Sequence, residues 1–221
     1  MIMYYDPDYQ ETKRIMLGEE SMKAAFRPLA DWVDETFGVK TINIVYDTID
    51  EGTRPRLELC FEFEKEKNGF LDREYLNYDG LKQKDIALKF AQTMEAQGLQ
   101  DQYPSDNVWI IYGGFEPIAR DEANSIIPQE GIDALKEKLQ CKDLWTISRM
   151  FSGVTFFLYT DTQVKEYQSS HLRKQWADQY FDLLAPYNQF GYFKRETFDI
   201  RLDSKENFDN NYASNWYYYY K

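Results

Sequence analysis

Apolar residues recur three and four apart between Ser21 and Phe37, where Met22, Phe26, Leu29 and Val33, joined by Ala25 and Trp32, form one stripe. That spacing predicts an amphipathic helix, and Gly38 is placed to end it. The period then shortens to two. Ile42, Ile44 and Tyr46 alternate, Asp50-Glu51-Gly52 supplies a turn, and Leu57, Leu59, Phe61 and Phe63 alternate with Glu58, Cys60, Glu62 and Glu64. This predicts a hairpin with one apolar face and its glutamates toward water.

Residues 65–80 are charged and read as a loop. Ile86, Phe90 and Met94, four apart, predict a helix over 81–99, and the run Val108–Tyr112 predicts a strand covered on both faces, ended by Gly113-Gly114. The second half repeats the order. A helix is expected over 129–139, strands near 144–147 and 154–159, a long helix over 162–184 with Leu172, Trp176 and Tyr180 on one face, and a strand over 192–202. Segments 115–121 (FEPIARD) and 197–203 (TFDIRLD) look related as ends of the final strands. The expected fold is α+β, with mixed or antiparallel sheets and packed helices. It carries a candidate tandem pseudo-repeat of helix–strand–strand–helix–strand. The halves are 1–125 and 126–221, with one continuous domain as the alternative and the connector at 121–128. The tail from Asp203 is turn-rich, and its aromatic end, Trp216 to Tyr220, is expected to pack back as a last strand. The alternative makes Trp216, Tyr217 and Tyr219 an aromatic contact surface.

Composition sharpens the class. The 221 residues are 43% hydrophobic and 17% aromatic, enough for a packed core. Net charge is −12. Residues 1–125 hold 25 Asp and Glu against 14 Lys and Arg, and residues 126–221 hold 13 against 12. An acidic half disfavours nucleic acid and anionic membrane, which demand a basic footprint, and favours a basic partner through long-range attraction. The first residues lack a charged-then-apolar leader pattern, and no apolar run reaches the ~18 residues of a membrane span, so a cytoplasmic location is expected. Cys60 and Cys141 are expected to be reduced. With His171 as the only histidine, they cannot build a four-ligand Cys/His zinc cage. No metal and no cofactor are expected.

The catalytic inventory is thin. His171 follows Ser169 and Ser170, but neighbours in a helix do not face each other, and the histidine falls off the apolar stripe. No nucleophile elbow, P-loop or dinucleotide fingerprint is present. Residues 203–209 approach a calcium loop, but Lys205 replaces a ligand and Phe208 stands where glycine is needed. Carboxylates remain: Glu58, Glu62 and Glu64, or Asp199 and Asp203, could serve as acid, base or metal ligands of a hydrolase. A solvated sheet face is the simpler reading. As a patch, Asp47, Asp50, Glu51, Glu58, Glu62 and Glu64 put six carboxylates in one hairpin, relieved only by Arg54 and Arg56.

The helix entering this acidic hairpin, from Asp31 to Glu64, and the close from Phe198 to the Trp216–Tyr219 run resemble the small acidic immunity (antitoxin) proteins that bacteria pair with polymorphic toxins. The resemblance implies a non-enzymatic protein that binds and neutralises a basic partner such as a toxin nuclease, with the six hairpin carboxylates as its contact. A carboxylate- or metal-dependent hydrolase and an assembly subunit contacting through the aromatic tail are the alternatives. The sequence does not set the oligomeric state.

Overall fold

The structure, a computed structural model, describes residues 3–72, 74 and 77–221. The chain forms two compact units, Met1–Ile118 and Ala119–Lys221. Each is α+β, with one three-stranded mixed sheet. Residues 1–118 carry 23 Asp and Glu against 13 Lys and Arg, and residues 119–221 carry 15 against 13, so the first unit holds −10 of the net −12.

In the first unit, Pro7 opens α1 (Pro7–Met16), where its fixed φ suits a first helical turn. The apolar pattern gives this helix no stripe, because it buries only Tyr9 and Thr12. A short 3-10 turn at Ala24–Phe26 leads into α2 (Arg27–Phe37), which buries Leu29, Ala30 and Val33. Gly38 closes it at φ 67, in the left-handed region open to glycine. β1 (Thr41–Ile49) and β2 (Arg54–Phe61) form the expected antiparallel hairpin, with Ile44 opposite Leu59. The supposed loop after it contains α3 (Glu64–Asn68) and a bridge between Leu71 and Tyr78; Arg73, Tyr75 and Leu76 of that loop lie outside the described residues. α4 (Gly80–Gln97) begins at Asp79, whose carboxylate accepts from the Leu81 and Lys82 amides. β3 (Trp109–Gly114) then pairs parallel to β2. The core, including Phe26, Leu29, Val33, Leu57, Leu59, Phe61 and Phe90, lies between the sheet and helices α2 and α4.

Residues 115–125, expected as a strand end and connector, form α5 (Phe115–Ser125). The second unit continues with α6 (Gln129–Leu139), β4 (Leu144–Met150), β5 (Gly153–Leu158), α7 (Asp161–Gln168), α8 (His171–Leu184), β6 (Arg201–Ser204), α9 (Lys205–Tyr212) and α10 (Trp216–Tyr220). Three expectations are corrected here. The long helix over 162–184 is broken, because Ser170 is extended at ψ 156 and its hydroxyl donates to Tyr167 O at 2.9 Å. The strand over 192–202 shrinks to 201–204. Upstream, the Asn188 side chain donates to Phe193 O and accepts from Phe193 N, so local backbone groups bond that side chain and not a ladder. The tail is helical, because Ser204 and Asn215 cap α9 and α10 by accepting from Asn207 N and Tyr217 N.

The halves repeat in register as well as in element order. Both sheets run antiparallel then parallel, in the orders β1-β2-β3 and β4-β5-β6. Ile147 faces Phe156 as Ile44 faces Leu59, and each first strand carries one irregularity at the same place, between Thr41 and Asn43 and between Leu144 and Thr146. After each central strand a helix opens on matching bonds: Glu66 accepts from Phe63 N at 2.9 Å and Gln163 from Thr160 N at 2.9 Å. After each third strand, Glu116 N donates to Glu62 O at 2.8 Å and Glu206 N to Tyr159 O at 3.1 Å. The counterparts are therefore 113–116 and 203–206. Segments 115–121 and 197–203, paired in the sequence reading, are a helix and a strand entry.

Candidate functional site

Alternation along β2 sends Leu57, Leu59 and Phe61 to the core and Arg56, Glu58 and Cys60 to the opposite, outer face. α1 lies on that face. Its Thr12 hydroxyl donates to Asp8 O at 2.8 Å and accepts from Asn43 Nδ2 at 3.1 Å. Arg56 joins three elements: Nε donates to Asp47 Oδ1 at 2.7 Å, and Nη2 donates both to Asp47 Oδ2 and, at 3.2 Å, to Asp8 Oδ2. Glu58 lies beside this trio and is only 1% exposed. Its Oε2 has no hydrogen-bond partner among the described residues. Gly113 leaves room for the carboxyl, since a Cβ there would stand 2.5 Å from Oε1.

Burial raises the Glu58 carboxyl to about 7; Arg56 opposes the shift, and the Asp8 and Asp47 carboxylates add to it. Burial also raises Asp8 and pushes the Cys60 thiol well up. A cavity of only ≈ 20 Å³ adjoins Glu58, walled by Tyr9, Thr12, Cys60, Gly113 and Phe115. Small-molecule sites span roughly 300–1,000 Å³.

The six hairpin carboxylates do not form one face. Glu58 is buried and not turned to water, because α1 covers its side of the sheet. Asp47 is half-buried on Arg56. Asp50 and Glu51 are exposed at the hairpin turn, at φ 51 and 57. At the other end of β2, Glu62 is half-buried 3.5 Å from Lys40 Nζ, and Glu64 is exposed 3.9 Å from Lys67 Nζ. Asp199 and Asp203 are held structurally: Asp199 by Arg173, and Asp203 by Tyr219, Asn207 and Ser204. Exposed His171 opens α8. Among the described residues no three Cys, His, Asp or Glu side chains could hold a metal ion. Sequence reasoning missed Asp8 and Arg56 as partners of this site; the signal for α1 was the Asp6-Pro7 start.

The outer face of the second sheet is aromatic. α10 lies on it, placing Trp216 5.3 Å and Tyr219 5.2 Å from Phe157 by ring centroid, and Trp216 6.1 Å from Trp145. Tyr219 Oη donates to Asp203 at 2.5 Å and Tyr220 Oη to Ser148 Oγ at 2.6 Å. Of the three proposed aromatic contacts, Tyr219 is half-buried, while Trp216, despite its ring contacts, and Tyr217 stay exposed. Both cysteines are free thiols, and no helix is long and apolar enough to cross a membrane among the described residues. Comparison of the chain with protein-family models, curated proteins and solved structures finds no match.

Proposed function

We propose that this is a non-enzymatic binding protein whose first unit meets a basic protein, as an immunity protein meets a toxin nuclease. One observation carries the reading: part of the acidic excess of that unit, three carboxylates, stands exposed beside the hairpin without an ion pair among the described residues. Asp50 and Glu51 at the hairpin turn and Asp106 in the α4–β3 loop are exposed and without an ion pair among the described residues. Two bonds bring the loop to the hairpin, Tyr46 Oη to Pro104 O at 2.8 Å and Arg54 Nε to Asn107 O at 3.2 Å. Such clustered charge accelerates encounter with a cationic surface. The contact set is therefore Asp50, Glu51 and Asp106, with Glu64 at the far end and Glu58 withdrawn.

The test is affinity capture from the host at about 0.05 M and about 0.5 M salt, followed by calorimetry on the purified pair. A basic protein released by salt is expected, with binding weakened at least about tenfold by D50K/E51K. No salt-sensitive basic partner, or one indifferent to the charge reversal, overturns the proposal.

A carboxylate-dependent enzyme is the second reading, and Glu58 favours it, because a carboxyl near 7 suits proton transfer. It ranks lower: the cavity is small, and Arg56 already engages Asp8 and Asp47. Turnover abolished by E58Q with partner binding intact would reverse the order.

A further inference from the structure

The two outer faces are roofed to different lengths. α1 spans ten residues over the first sheet, whereas α10 spans five over the second. The hairpin end of the second face is left open as a cavity of ≈ 310 Å³, lined by Met150, Phe151, Gly153, Thr155, Arg201 and Tyr220. This lies within the size range of small-molecule sites. We infer that this cavity is a binding site for a carboxylate carried on an apolar or aromatic group.

The first unit shows what a guanidinium takes on this face. Arg56 is held by Asp47 from the strand and by Asp8 from the covering helix. In the second unit Arg201 projects onto the outer face with Asp203, while Leu202 joins the core. Its guanidinium is exposed and has no hydrogen bond or ion pair among the described residues. By register, Met150 stands where Asp47 stands, since Met150 faces Gly153 as Asp47 faces Arg56. α10 contributes Tyr220 and no carboxylate side chain. By the same register Gly153 stands where Arg56 stands and Arg201 where Ile111 stands, so this arginine has no counterpart in the first unit. Without an ion pair of its own, its guanidinium is open to a planar carboxylate, which matches it through two parallel bonds.

The walls supply the apolar half of the ligand. Phe151 sits at φ 51, costly for a bulky side chain, and remains 44% exposed. Asn124 fixes this turn, donating to Phe151 O at 2.7 Å and Gly153 O at 3.1 Å. The turn thereby holds the Phe151 ring outward at the edge of the cavity. Tyr220 lines the same cavity, its hydroxyl held by Ser148.

The experiment is an NMR titration of the full chain with phenylacetate, with its neutral isostere phenylacetamide, and with a blocked peptide carrying glutamate beside phenylalanine. Saturable shifts of the Gly153 and Thr155 amides and of Arg201 Nε are expected, with Kd about 1 mM or tighter. R201Q and the neutral isostere should each weaken the response at least about tenfold. Tighter binding of the free acid identifies a small-molecule source, and tighter binding of the peptide an acidic protein segment. No saturable shift with either anion at about 10 mM, equal response to phenylacetamide, or unchanged binding in R201Q overturns the site. Arg201 is exposed, and the R201Q amide spectrum verifies its fold.

Discussion

The two units share a scaffold down to the place of one strand irregularity, yet their outer sheet faces carry opposite chemistries. At the position of Glu58 the second unit has Thr155, at Cys60 it has Phe157, and at Gly113 it has Asp203. In the first unit a charged trio and a buried acid lie under an N-terminal helix; in the second, tryptophan, phenylalanine and tyrosine rings lie under a C-terminal one. Inner faces, packed from Leu, Ile and Phe in both, set the fold. The outer face can then vary, provided something covers it, because an uncovered apolar sheet is a liability.

Removing the aromatic anchor gives the largest effect that would break this comparison. Phe157 is fully buried and touches Trp216, Tyr219 and Phe208. F157A should cost about 3–5 kcal/mol and release α10, read by denaturant unfolding and tryptophan fluorescence. A loss under about 1 kcal/mol would mean that the roof of the second unit does not depend on its rings.

The next effect is in pH. Glu58 rises from 4.5 unfolded to about 7 folded, so its protonated form favours the folded state. Its contribution is fully present below about 4.5 and is lost as pH rises through about 7, a decline of order 3 kcal/mol before relaxation and water entry reduce it. Asp8 shifts in the same direction, so the informative quantity is wild type minus E58T, the residue of the other unit. Urea unfolding at pH 5 and pH 8 should show that difference shrinking or changing sign; a constant difference would place the carboxyl in water.

The smallest effect concerns Gly113. A Cβ there meets Glu58 Oε1 at 2.5 Å, so G113A should cost about 1–3 kcal/mol, and much less in the E58T background. A double-mutant cycle measures the coupling. Additive costs would show that the glycine serves the backbone and not the carboxyl.

Much of this scaffold was legible in the sequence. The alternation of Leu57, Leu59 and Phe61 placed β2, and the stripe from Met22 to Val33 placed α2, because both patterns report burial against a core. The repeat was readable as element order but not as register, since register depends on pairing partners distant in sequence. α1 escaped because a helix that buries a tyrosine and a threonine leaves no apolar period. Alternation correctly put Glu58 on the face opposite the leucines but could not reveal that α1 covers that face. The aromatic tail was misread as a strand from propensity. Trp216, Tyr219 and Tyr220 stand at i, i+3 and i+4, the spacing of one helical face, with Asn215 as the cap.

The order of roof and sheet along the chain has a consequence for synthesis. α1 is made first, but the strands it covers are complete only at Gly114, so the roof of the first unit must wait for its floor. Until then Glu58 is solvated and ionised near neutral pH. Seating α1 on the finished sheet then buries that carboxyl and favours its protonated form. The first unit is thus completed together with a change in the charge preference of Glu58, whereas α10 follows in the chain every strand it covers and closes onto a floor already laid.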